Sequence, residues 1–209
     1  IGYFSQIIYL INIIEKTYQR QMNQSDVNNL LKIYTKTFRP RIFEILKFIR
    51  ELKEKNIIQN LVLYTKNKNE IFVKMVLSFI EEHALKMGDN KTIVPVFDNI
   101  IFSASNSKKL EPLLRLENVY DSSEAQTQMC FIDNKNHNYE TNSLSIVIYF
   151  IKCDTYKFYY THDEIVKQMN YNIYDKLSKR LIYKYFKNIY KNKRISVNIP
   201  TKIQEMNSL

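Results

Sequence analysis

Three features, met in chain order, have the side chains that phosphoryl chemistry requires. Thr65 closes the run LVLYT, Lys108 and Lys109 stand in NSKKLEPLL, and Asp133, followed by Asn134, closes the strand-like start of QMCFIDNKNHN. A hydroxyl that hydrogen-bonds a phosphate oxygen, an ammonium that neutralises it and a carboxylate that holds magnesium are the parts phosphoryl transfer needs. Each also has a plainer role. Thr65 serves equally as a cap or turn residue, Lys108 as a solvated charge, and Asp133 as a turn former, because Asp and Asn hydrogen-bond their own backbone. What favours chemistry at Asp133 is its place. The apolar run 129–132 delivers it to the carboxyl end of a strand, where parallel α/β sheets bind their ligands.

The elements that must carry these residues follow from hydrophobic periodicity. Residues 1–14 are apolar with scattered polar positions, and Ser25 and Asp26 offer an N-cap for a helix running to about Tyr34. Arg39-Pro40 opens the clearest helix, with proline expected at the first helical position and Ile42, Phe43, Ile45, Leu46, Ile49 and Leu52 recurring at helical spacing through Lys55. Residues 57–65 are expected to form a strand, 69–85 a second amphipathic helix, 94–102 an extended segment and 108–116 a short helix. Strands follow at 129–132 and 146–151, then a short helix at about 163–169. Strands alternating with helices predict an α/β class fold, a three-layer domain with a parallel sheet ending near residue 170. Residues 173–190 are helical in pattern and rich in Lys and Arg, so 171–209 is expected to be a basic helical tail.

Composition removes several alternatives. Two Gly and four Pro in 209 residues leave no Gly-rich phosphate loop and no dinucleotide fingerprint. The net charge of +10, from 31 Lys and Arg against 21 Asp and Glu, suits a partner bearing phosphate or an acidic surface. Richness in Lys, Asn, Ile and Tyr also fits A/T-rich coding sequence, which produces basicity without function. Cys130 and Cys153 are too few for a disulfide framework, which points to a reducing compartment, cytoplasmic or nuclear. No apolar run approaches the roughly 20 residues of a bilayer helix. His83, His137 and His162 lie far apart without ligand spacing, and Lys66, Lys68 and Lys74 are ordinary candidates for a solvated face.

Taken together, FRPRIFEILKFI, LVLYT, KKLEPLL and FIDNKNHN resemble motifs II to IV of the haloacid dehalogenase superfamily. The resemblance is closest to its phosphatases of the RNA polymerase II C-terminal repeats, and it covers about residues 1–169, VFDNII included. It implies a haloacid-dehalogenase-like, Rossmann-like sheet and a magnesium-dependent phosphatase of phosphoserine or phosphothreonine peptides. It implies that Thr65 binds phosphoryl oxygens, that Lys108, or Lys109 one residue on, stabilises phosphate charge, and that Asp133 holds magnesium with Asn134 beside it. Residues 5–38 become a helical insertion between motifs I and II.

In that superfamily, motif I is a strand ending Asp-x-Asp-x-Thr, whose first Asp attacks phosphorus and whose second is the general acid and base. The 209 residues contain no such motif. Ile1-Gly2-Tyr3-Phe4 resembles what immediately follows it, so the nucleophile strand is expected upstream of residue 1 and the chain alone is expected to be inactive. The alternative is a non-catalytic member of the same fold, or a basic module that associates with nucleic acid through phosphate neutralisation and stacking along its tail.

Overall fold

The computed structural model describes residues 1–85, 95–103, 111–114, 127–135, 146–169, 171 and 173–192. Lys108, Lys109 and His137 lie outside these residues. The chain is a mixed α/β protein with short parallel sheets. Its elements run α1 (Ser5–Tyr18), α2 (Gln24–Ile33), a 3-10 turn (Thr35–Thr37), α3 (Ile42–Glu54), β1 (Val62–Thr65), α4 (Glu70–Leu85) and β2 (Asn99–Phe102). They continue with α5 (Glu111–Leu114), β3 (Thr127–Asp133), β4 (Ile146–Lys152), α6 (His162–Gln168) and α7 (Lys179–Asn192). Two compact units result: Ile1–Ile7 with Asn23–Phe158, and Ile8–Met22 with Tyr159–Leu209. Among the described residues no helix is long and apolar enough to cross a membrane.

In the first unit β1 pairs with β2 in parallel, Val62 opposite Asn99 through Thr65 opposite Phe102. β3 pairs with β4 in parallel, Thr127 opposite Ile146 through Asp133 opposite Lys152. No ladder joins the two pairs among the described residues. β1 is shorter than the expected 57–65 because other groups take the backbone donors before it. Ile57 and Ile58 donate to the Leu52 carbonyl at 2.9 and 3.3 Å, closing the end of α3. Leu61 donates to Asp98 Oδ2 at 2.6 Å. Asp98 also holds Lys53 of α3, whose Nζ lies 2.7 and 2.8 Å from the two carboxylate oxygens and donates to the Pro95 and Val96 carbonyls. Lys53 is therefore a buried brace between α3 and the approach to β2.

Helix starts are set by local chemistry. Asn23, not Ser25 or Asp26, caps α2: its side chain accepts from Asp26 N while the Asp26 carboxylate accepts from Asn23 N, a reciprocal capping box. Pro40 does not begin α3. Arg41 intervenes as N-cap with a left-handed φ of 59°, and the helix starts at Ile42. Asn69 Oδ1 accepts from Phe72 N at 3.0 Å to open α4.

Helices α2 and α3 both pack on α4. Leu30, Leu31, Tyr34, Leu46, Val76 and Ile80 are buried there, and Phe79 stacks on Phe38 with centroids 5.5 Å apart. Phe4 and Phe43 lie edge-on or tilted against Phe38 at 5.3 and 5.0 Å. The start of the chain is tied in beside this cluster by an antiparallel bridge of Gly2 with Phe38, with Tyr3 N donating to Thr37 O and Arg39 N to Ile1 O. A Cβ at Gly2 would stand 2.6 Å from Thr37 O and 2.8 Å from Phe4 Cζ. The carbonyl is backbone and already bonded, so it cannot retreat cheaply. Gly2→Ala is expected to destabilise the protein by about 1–3 kcal/mol, read as a lower urea midpoint at unchanged slope.

The β3–β4 pair is less covered than parallel sheets usually are. Cys130 and Ile132 are exposed on β3, as are Tyr149 and Ile151, their ladder partners on β4.

In the second unit Leu10, Ile13 and Ile14 of α1, Ile165 of α6, and Ile182 and Phe186 of α7 are buried, with α6 against α7. Thr161 and Glu164 form a second capping box at α6. Tyr9 Oη donates to Tyr185 O at 3.1 Å and Tyr18 Oη to Asp175 Oδ1 at 3.1 Å, so phenols hold α1 to the later segments.

Candidate phosphate site

Thr65 and Asp133 each end a strand at its carboxyl end, but on different ladders. Thr65 Oγ1 accepts from Asn67 N at 3.1 Å, while Ser103 N donates to Thr65 O at 2.8 Å. The hydroxyl thus shapes the β1–α4 turn as an acceptor, and its own proton is directed by whatever it meets. Asp133 Oδ1 accepts from Asn134 N at 2.6 Å and Lys135 N at 3.3 Å, so the carboxylate does form the turn that an Asp-Asn pair suggests. Asn134 Nδ2 donates to Thr155 Oγ1 at 2.8 Å, and Cys153 N donates to Asp133 O at 2.9 Å.

The segment after β4 leads on from there. Arg39 Nη2 donates to the Asp154 carbonyl, its guanidinium lies 5.7 Å from the Tyr156 ring centroid, and Tyr156 Oη donates to the Lys36 carbonyl. Since Arg39 N also donates to Ile1 O, bonded neighbours run from Asp133 and Asn134 through residues 153–155 to Arg39 and the first residue. Arg39, Thr155 and Tyr156 were not singled out by sequence. The arginine stands in plain view in FRPR, yet its partners lie 115 and 117 positions away, a separation that no local pattern reports.

Burial, opposed by the nearby Arg39 charge, pushes the Tyr156 phenol above its ordinary value of 10.0, and burial likewise raises Tyr9 and Tyr18. A pKa raised by folding means that these phenols contribute stability fully below the unfolded value and lose it as pH rises through the folded one. Alkaline unfolding is therefore expected to begin above about pH 10 and to coincide with tyrosinate absorbance; Tyr156→Phe should weaken that dependence.

The two described histidines, His83 and His162, have local contacts. His83 Nδ1 lies 3.1 Å from Phe79 O and its ring 4.0 Å from that of Phe79, while His162 packs on Tyr183 and Phe186. Lys66 is half-buried and Lys68 and Lys74 are exposed. Among the described residues no group of three His, Cys, Asp or Glu side chains could hold a metal ion. The described residues therefore do not complete a magnesium site.

The chain was compared with models of protein families, with curated proteins and with solved structures, and it matches none of them.

Proposed function

We propose that the chain belongs to a magnesium-dependent phosphatase of the haloacid dehalogenase type, acting on phosphoserine or phosphothreonine peptides, whose attacking aspartate lies outside the 209 residues. The observation that carries this reading is the bonded path from Asp133 and Asn134 through residues 153–155 to Arg39 and Ile1. It supports the reading by tying the first residue, through Arg39, to the segment that follows β4 and borders Asp133 and Asn134. A nucleophile strand placed between β1 and β3 would unite the two parallel pairs into the central sheet of a three-layer fold, with Thr65 and Asp133 at one end of it.

In this reading the Thr65 hydroxyl, already fixed by Asn67 N, donates its proton to a phosphoryl oxygen, and Lys108 or Lys109 neutralises phosphate charge. The upstream aspartate attacks phosphorus, the serine or threonine oxygen leaves with a proton from the second aspartate of that strand, and water then hydrolyses the aspartyl-phosphate. Magnesium supplies charge neutralisation when bound; Asp133 would give it one carboxylate and the nucleophile strand the others.

The test is to express the reading frame extended upstream of Ile1 and assay a phosphomonoester with magnesium. Turnover is expected, and Asp133→Asn should cost more than the roughly 10–100-fold typical of losing an outer-shell partner of a metal. An upstream sequence without Asp-x-Asp-x-Thr, or activity indifferent to Asp133→Asn and to chelator, would overturn the proposal. The 209-residue chain itself should show no turnover.

A further inference from the structure

The second unit carries most of the chain's charge imbalance. It contains twelve Lys and Arg against five Asp and Glu, a surplus of seven out of the +10 of the whole protein, in fewer than a third of its residues. Helix α7, KRLIYKYFKNIYKN, has no acidic residue at all. Its apolar side is committed to the unit's own core, with Ile182 at 0% and Phe186 at 1% exposure. What remains outward is Lys179, Arg180, Tyr183, Lys184 and Lys187, all exposed, with Tyr183 half-exposed at 50% beside the His162 ring.

This face is poorly suited to stability alone. Lys179 and Arg180 occupy the first turn, where the positive end of the helix dipole disfavours cations, although Ser178 Oγ caps the end by accepting from Leu181 N at 3.1 Å. Arg180 and Lys184 are like charges at i and i+4, a destabilising spacing. Among the described residues no ion pair engages any of the four cations. A polyanion relieves all of these strains at once.

We propose that the exposed face of α7 binds the backbone of single-stranded nucleic acid, with Arg180, Lys184 and Lys187 neutralising phosphates and Tyr183 stacking on a base. Arg180, Lys184 and Lys187 lie at i, i+4 and i+7, on one side of the helix, with Tyr183 between the first two. A cationic track interleaved with an aromatic ring is how proteins hold single strands without reading sequence. A membrane surface is the poorer partner, because interfacial helices insert an apolar face, and that of α7 is buried. The inference stands independently of the phosphatase proposal, since it uses no residue of the phosphate site.

The experiment measures binding of a fluorescent oligothymidylate of about 16 nucleotides to the full chain across a salt series. Affinity should fall as salt rises, and Arg180→Gln/Lys184→Gln/Lys187→Gln should weaken binding at least about tenfold and flatten the log–log salt slope by about 2, roughly 0.7 per lost contact. A charge-matched control, Lys55→Gln/Lys68→Gln/Lys74→Gln on exposed positions of the first unit, should retain most of the affinity. Tyr183→Ala should weaken single-strand binding about tenfold and leave duplex binding unchanged. All these positions are exposed, and unchanged thermal unfolding will show that the variants fold. No binding at low salt, salt-independent binding, equal losses in variant and control, or tighter binding to phosphatidylserine vesicles than to the oligonucleotide would each overturn the proposal.

Discussion

Asp98→Ala is expected to destabilise the protein by about 3–5 kcal/mol, the range found when one partner of a buried ion pair is removed. Lys53 has only 5% of its side chain exposed, and the Asp98 carboxylate is the one negative charge bonded to it among the described residues. Taking the carboxylate away leaves an ammonium facing the Pro95 and Val96 carbonyls, which solvate it only in part. The same change strips Leu61 N of its acceptor just before β1. The reciprocal change, Lys53→Met, should cost less. It removes the buried charge itself, leaves Asp98, 25% exposed, reachable by water, and keeps the bond to Leu61. Urea unfolding of both variants and of the double variant checks this. A double variant near Lys53→Met, well above Asp98→Ala, is the expected order, and equal losses in both single variants would contradict an orphaned charge as the cause.

Phe79→Ala is the second large effect, about 3–5 kcal/mol, as for other buried aromatic truncations. Phe79 is 2% exposed and touches three rings: Phe38 at 5.5 Å, Phe43 at 6.5 Å and His83 at 4.0 Å. Removing it opens a cavity that Phe38, Phe43 on α3 and His83 on α4 would have to collapse to fill. Phe79→Leu should recover more than half of the loss, because it restores most of the volume while giving up the ring contacts. Thermal unfolding monitored by circular dichroism separates the two, and a Leu variant no better than Ala would show that ring geometry rather than volume is limiting.

How much of this was legible in sequence depends on the range of the interaction that decides each feature. α3 and α4 were readable because Ile42 and Leu46, and then Val76, Phe79 and Ile80, repeat at the helical period, and period is a property of neighbours. β3 and β4 were readable as apolar runs, though each extends beyond the expected residues. The errors cluster where a distant or competing group intervenes. The strand expected from 57 is cut to Val62 by Leu52 and Asp98, and Lys53, a residue type usually left in water, is buried by a partner 45 positions later. Ser25 and Asp26 were natural caps by residue type, but Asn23 with Asp26 three residues on satisfies two donors where either alone satisfies one. Pro40 is a good first helical residue in general, yet Arg41 turns left-handed here and delays the helix.

The candidate site divides the same way. That Thr65 and Asp133 end strands was visible in LVLYT and FID, since both are local facts. That Asp133 spends an oxygen on its own turn was visible as a possibility in Asp-Asn. The path onward through Thr155 and Arg39 to Ile1 was not, because it depends on how residues far apart in the chain come to share an edge of the unit.

The half-covered ladder of β3 and β4 has a consequence for handling the protein. TQMCFID and IVIYFIK are six- to seven-residue scale segments with high strand propensity, low net charge and neither proline nor glycine, the composition from which cross-β assemblies grow. With Ile132, Tyr149 and Ile151 already in water, little unfolding is needed before one molecule can template another. Shelf life in concentrated solution is then set by second-order encounters between these faces, and Lys152 and Asp133, opposite each other at the end of the register, are charges that help keep them apart.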